Sequence, residues 1–167
     1  MVKVTKKPFT VLRDTSEKEG RGWWFEPTEA CAGTVERNLY TADYSIEGYY
    51  DNKLFVVERK GSVAEFVANI SQKEKWHDFK DELQRLEEFR FPYVICEFPF
   101  SLLETYPVGS NIPKRLWPII RVKPDFIVRR FLEIQMKFKT RFLFADGGGE
   151  RVAMSLFKRI VERVPCP

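Results

Sequence analysis

The sequence is poor in the residues that build metal centres and covalent staples. Its 167 residues include one histidine, His77, and three cysteines, Cys31, Cys96 and Cys166. An odd number of widely separated cysteines with no C-x-x-C spacing excludes a disulfide framework and a paired-cysteine zinc site, and it fits a reducing cytoplasm. No apolar run approaches the roughly 20 residues that cross a bilayer, and the lysine-bearing start, residues 1–8, has no apolar signal-peptide core behind it. Membrane spanning and secretion are not expected. Linkers, repeats and low-complexity tracts are missing too, so residues 1–167 read as one domain of about the commonest size. A dominant charge is absent at first sight, since 28 Lys plus Arg oppose 24 Asp plus Glu for a net +4. Residues 112–142 nevertheless hold nine basic residues against two acidic ones, a local +7, which leaves the remainder mildly acidic. Aromatic residues, 15% of the chain, supply ample bulk for a core.

The pattern predicts a first strand at 9–12 running into a polar loop. A β-hairpin follows, formed by 34–46 and 53–60 around turn chemistry at 47–52. Ser62 with Glu65 three residues on is a capping box for a short helix over 63–70. Trp76, Phe79, Leu83, Leu86 and Phe89 recur at helical spacing and predict a helix over 74–89. The continuous apolar run 92–98 is a buried strand, and 99–124, with its prolines, is an irregular loop. A helix over 124–138, a strand over 141–145 and a last helix over 150–163 complete an α/β layered domain with a mixed sheet.

Chemistry concentrates at Glu58-Arg59-Lys60. Side chains alternate along a strand, so Glu58 and Lys60 share one face and Arg59 takes the other. If the hairpin turns near Tyr50, Asp43 lies opposite. Paired carboxylates suit a hard divalent cation, which polarises a phosphoryl group and acidifies bound water. A lysine beside them orients that water or offsets developing charge. The same residues also describe a solvated cluster at a strand end.

Several stretches in order resemble the XPF-type nuclease domain of the PD-(D/E)XK superfamily, most nearly its short stand-alone bacterial and phage members. They are Leu12-Arg-Asp14-Thr-Ser-Glu17, Asp43-Tyr-Ser-Ile-Glu-Gly, Val-Val-Glu58-Arg59-Lys60, the Phe79-x-x-Glu-Leu-x-Arg-Leu helix, Tyr93-Val-Ile-Cys-Glu97, Pro124-Asp-Phe and Phe144-Ala-Asp-Gly147. The resemblance implies a restriction-endonuclease-like three-layer fold, a central mixed sheet flanked by helices. It implies a metal-dependent endonuclease cutting flap, fork or branched DNA in repair or recombination, with Mg2+, or Mn2+ as substitute. Asp43 and Glu58 become metal ligands with Asp14 as a further acid. Lys60 becomes the catalytic lysine, and Arg59 a phosphate contact or brace. The chain departs from the family pattern in three places. Ala42 replaces the glycine before Asp43, a mild change by size. Ser16 replaces an arginine. Ala64 stands where a last aspartate belongs, and Glu65, one residue late, is the candidate substitute.

In the basic stretch, Lys114, Arg115, Arg121 and Lys123 of the loop and Arg129 and Arg130 of the following helix are candidate DNA contacts, since Lys and Arg contacts to phosphate dominate nucleic-acid affinity. A solvated helix face describes Arg129 and Arg130 equally well. Trp23 and Trp24 are core residues or base-stacking residues. His77, without partners at metal-ligand spacing, is a surface residue. Relatives of this type dimerise through the nuclease domain, so a homodimer or heterodimer is an expected partner state, with Val152, Leu156, Ile160 and Val161 as one available apolar surface. The rival readings are a catalytically silent DNA-binding or partner-binding relative and a restriction-type nuclease.

Overall fold

Apolar residues at successive positions of one short strand, Phe55, Val56 and Val57, are all fully buried, which requires a layer of helices on each side. The computed structural model, which describes residues 7–167, supplies both layers. The strands are β1 (Phe9–Asp14), β2 (Cys31–Arg37), β3 (Tyr44–Ile46), β4 (Phe55–Lys60), β5 (Phe91–Cys96) and β6 (Arg141–Phe144). The helices are α1 (Val63–Ser71), α2 (Lys73–Leu86), α3 (Ser101–Glu104), α4 (Pro124–Lys137) and α5 (Gly149–Arg163). One six-stranded sheet has the order β2-β1-β3-β4-β5-β6. Only β3 runs against its neighbours. The carboxyl ends of the other five strands therefore line one edge, and β3 begins there. This three-layer mixed α/β sheet is the expected restriction-endonuclease-like architecture.

On one face Val56, Val94 and Leu12 pack with Phe66, Phe79, Leu83, Ile127 and Phe131 from α1, α2 and α4. On the other, Phe55, Val57, Tyr44 and Ile95 pack with Ala153, Phe157 and Ile160 of α5. Val152, Leu156 and Val161 are partly buried against that second core, so α5 docks its apolar side within the chain. Ser62 caps α1 by accepting the Glu65 N–H at 3.1 Å.

Two expectations need correction. Residues 34–46 are not one hairpin strand. The chain first forms β2, which pairs in parallel with β1 at the sheet edge, and then crosses back so that three-residue β3 inserts between β1 and β4. The crossing is anchored where Asp14 accepts the Leu39 N–H at 2.6 Å. The segment 99–124 is also less irregular than its prolines imply, holding α3 and a 3₁₀ turn at Lys114–Ile119. It leaves from the carboxyl end of β5, at the edge where β4 ends. Among the described residues no helix is long and apolar enough to cross a membrane. Residues 1–6, with two of the three lysines at the start, lie outside the description.

Candidate active site

The register of the β3–β4 hairpin builds the site. Tyr44 pairs with Val57, which sets Asp43 beside Glu58 on the α1/α2 face. Asp43 is fixed by its backbone and its side chain: its N–H donates to the Val57 carbonyl at 3.1 Å, its carbonyl accepts from the Asp14 N–H at 2.7 Å, and Oδ2 accepts the Arg59 N–H at 2.7 Å. Ala42 turns the chain into this position with φ +68°. The glycine-like demand at 42 is therefore conformational, and the substitution is not the mild change that size alone implies. Left-handed backbone costs an L-residue about 1–2 kcal/mol, against about 0.5–1 kcal/mol for the extra freedom of unfolded glycine. Ala42→Gly should raise the melting temperature by about 2–4 °C, and a fall in a thermal melt would contradict the assignment.

Glu58 and Lys60 are buried, 6% and 4% exposed. Lys60 Nζ donates to Glu58 Oε1 at 2.8 Å, lies 3.5 Å from Glu82 Oε2 of α2, and rests 4.9 Å from the centre of the Phe79 ring. Burial pushes the Glu58 carboxyl well above its usual range, the Glu82 charge adds to the push, and Lys60 opposes it. Asp43 is likewise raised, by burial and then by Glu58. Burial works against the Lys60 ammonium, but Glu58 and Glu82 outweigh it and hold its pKa above the normal lysine value. Glu82 was not singled out from the sequence. The available signal was an acid inside an apolar stripe, three residues after Phe79 and four before Leu86.

Arg59 points to the opposite face. Nε and Nη2 donate to Glu97 Oε2 at 2.7 and 2.6 Å, Nη1 lies 3.6 Å from Glu17, and Glu97 Oε1 accepts the Trp23 indole N–H at 2.8 Å. Burial again opposes the charge of Arg59, and Glu97 raises its pKa on balance. Gly149 at the start of α5 has no room for a Cβ, which would fall 2.6 Å from Glu97 Cγ.

The other expected site residues are placed differently. Asp14 is at the same edge, but its carboxylate is taken up by the N–H groups of Leu39 and Ser16 and by the Ser16 hydroxyl. Glu65 is exposed, and its carboxylate accepts the Gly61 N–H at 3.0 Å. Lys114, Arg115, Arg121, Lys123 and Arg129 are exposed. Arg130 is half-buried, its guanidinium stacked 4.6 Å from Trp76 and 5.2 Å from Phe126. His77 is exposed and 3.2 Å from Asp81.

Among the described residues no group of three or more His, Cys, Asp or Glu is arranged to hold a metal ion by itself. The donor set still fits a hard cation. The carboxyls of Asp43, Glu58 and Glu82 gather around one ammonium; burial first, and then the neighbouring carboxylate, raises Asp43 and Glu58, and a bound cation would offset the second of these. Mg2+ is commonly bound through one or two carboxylates completed by water and substrate phosphate rather than by an all-protein cage.

The fold is that of a restriction-endonuclease-like α/β domain, and acids and a lysine lie at the carboxyl edge of its sheet. No protein-family model and no curated protein matches the chain. Solved structures do. "XPF from Aeropyrum pernix" is similar at TM-score 0.58 and 17% identity, over 93% of this chain and 66% of that one. "XPF from Aeropyrum pernix, complex with DNA" is similar at TM-score 0.56 and 16% identity, over 94% and 66%. The chain spans about 66% of the length of those proteins, and its fold is the XPF-type nuclease fold.

Proposed function

We propose that the protein is a metal-dependent DNA endonuclease that hydrolyses phosphodiester bonds and selects flap, fork or branched substrates. The observation that carries this is the apposition of Asp43, Glu58 and Lys60 at the carboxyl edge of an XPF-type sheet. Asp43 and Glu58 would hold Mg2+ or Mn2+, and a cation so held polarises the phosphoryl group and makes its bound water acidic. Lys60 acts as a donor, not a base, because its raised pKa keeps it an ammonium at working pH. It turns a water or a phosphate oxygen towards the carboxylates and offsets charge developing on the phosphate. Asp14 braces the 39–43 crossing that carries Asp43, and Arg59 braces β4 from behind through Glu97. The exposed Lys114, Arg115, Arg121, Lys123 and Arg129 supply phosphate contacts at the same end of the sheet. A structural neighbour solved with DNA supports the choice of substrate.

One observation favours the catalytically silent alternative: Glu65, the candidate for the family's last acid, caps the turn at Gly61. A cleavage assay decides. Flap and fork DNA should be cut faster than linear duplex with Mg2+ or Mn2+, and EDTA should abolish cutting. Binding without cleavage under either metal, or equal cutting in EDTA, overturns the enzyme.

A further inference from the structure

Resting on the DNA-processing reading, the geometry points to a second subsite: the cleft beside Trp24 receives one unpaired base of the DNA strand held at the candidate active site. Trp24 is half exposed although its neighbours Trp23 and Phe25 are buried. Its indole is a shared wall of two clefts. One, of about 860 Å³, is completed by Trp23, Met154 and Glu97 and by Gly148 at the start of α5. The other, of about 710 Å³, lies against Arg21 and Glu150. Both volumes fall within the roughly 300–1,000 Å³ of small-ligand sites.

Position assigns the occupant. Residues 22–25 follow the carboxyl end of β1, Glu97 follows β5 and Gly148 follows β6, so the cleft opens on the edge that carries Asp43, Glu58 and Lys60, from the α5 side of the sheet. Arg59 joins the two, being the residue between Glu58 and Lys60 while its side chain holds Glu97 and lies 5.9 Å from the centre of the Trp23 ring. A strand crossing the edge over Asp43 and Glu58 meets the cleft next. Exposed Glu26 and Glu150 at the walls accept hydrogen bonds from base amines, and exposed Arg151 in the same lining suits a neighbouring phosphate. The cleft therefore suits a base together with its adjoining phosphate. A planar indole with a free face is the surface on which an unpaired base of any sequence stacks. Duplex DNA, its bases already stacked, has nothing to insert.

The test is fluorescence anisotropy of labelled flap DNA, single strand and blunt duplex in EDTA, so that binding is read without cleavage. Trp24→Ala should weaken flap and single-strand binding by about tenfold and leave blunt duplex unchanged, while Trp24→Phe retains most of the affinity. An abasic nucleotide walked along the unpaired strand should reproduce the loss at one position and add nothing in Trp24→Ala. Unchanged flap affinity in Trp24→Ala, an equal loss for blunt duplex, or no wild-type binding of single strand overturns the subsite. A wild type that shows the Trp24 effect yet cuts nothing with Mg2+ or Mn2+ overturns the nuclease reading alone.

Discussion

Lys60→Met is expected to destabilise the metal-free protein by about 3–5 kcal/mol at pH 8, the cost of removing one partner from a buried ion pair. Methionine fills the volume beside Phe79, so the loss is electrostatic: Glu58 and Glu82 remain facing each other without the ammonium that Nζ brings to 2.8 and 3.5 Å. The sign of the pH dependence follows from the direction of the Glu58 shift. A carboxyl raised in the folded state contributes stability that is complete below its unfolded pKa and is lost as pH rises through the folded one. Burial and Glu82 already raise Glu58 in the wild type, and removing Lys60 removes the charge that opposed them. The deficit should therefore shrink as pH is lowered from 8 towards the ordinary carboxyl range. The wild-type lysine, raised itself, keeps its charge throughout that window. Adding Glu58→Gln to Lys60→Met should restore most of the stability at pH 8 and flatten the dependence. Urea titrations of the three proteins at two pH values read all of this, and a pH-independent loss in Lys60→Met would refute the charge argument.

The site was legible because the alternation of β4 is strict. Glu58 and Lys60 face α2 and Arg59 faces Glu97, as period-two side-chain direction requires. Ser62 and the turn after Ile46 were legible for the same local reason, since caps and turns are decided within four residues. What the sequence did not disclose is non-local. Residues 34–46 carry β-formers throughout, and nothing in them says that the first half pairs with β1 and only the last three residues with β4. That choice depends on Asp14 holding Leu39 across 25 positions. The φ of Ala42 is likewise set by the pairing on either side of it. Trp23 and Trp24 are identical as residues, and only the packing of Trp23 against Tyr44, 4.8 Å between ring centres, divides them into a core residue and an exposed one.

The second large effect separates chemistry from folding, which Lys60 cannot do. Asp43→Asn keeps an oxygen to accept the Arg59 N–H, now 2.7 Å from Oδ2, so the hairpin register is retained. It also removes a carboxylate that burial and Glu58 hold above its normal pKa. By the sign worked out for Glu58, that carboxylate is a liability at pH 8 and neutral at low pH. The metal-free variant should then be as stable as the wild type or more so at pH 8, with the difference vanishing as pH falls. Activity should move the other way. Losing one of the two proposed ligands would forfeit several kcal/mol of charge stabilisation, which at about 1.4 kcal/mol per decade would lower kcat/KM by about 10³. Added Mn2+ should raise the wild-type melting temperature and leave that of the variant nearly unmoved. A stable Asp43→Asn that cuts flap DNA at the wild-type rate would remove Asp43 from the metal site. A stable, inactive variant that no longer responds to metal would identify the crowded carboxylates as a feature kept for catalysis at the expense of the resting fold.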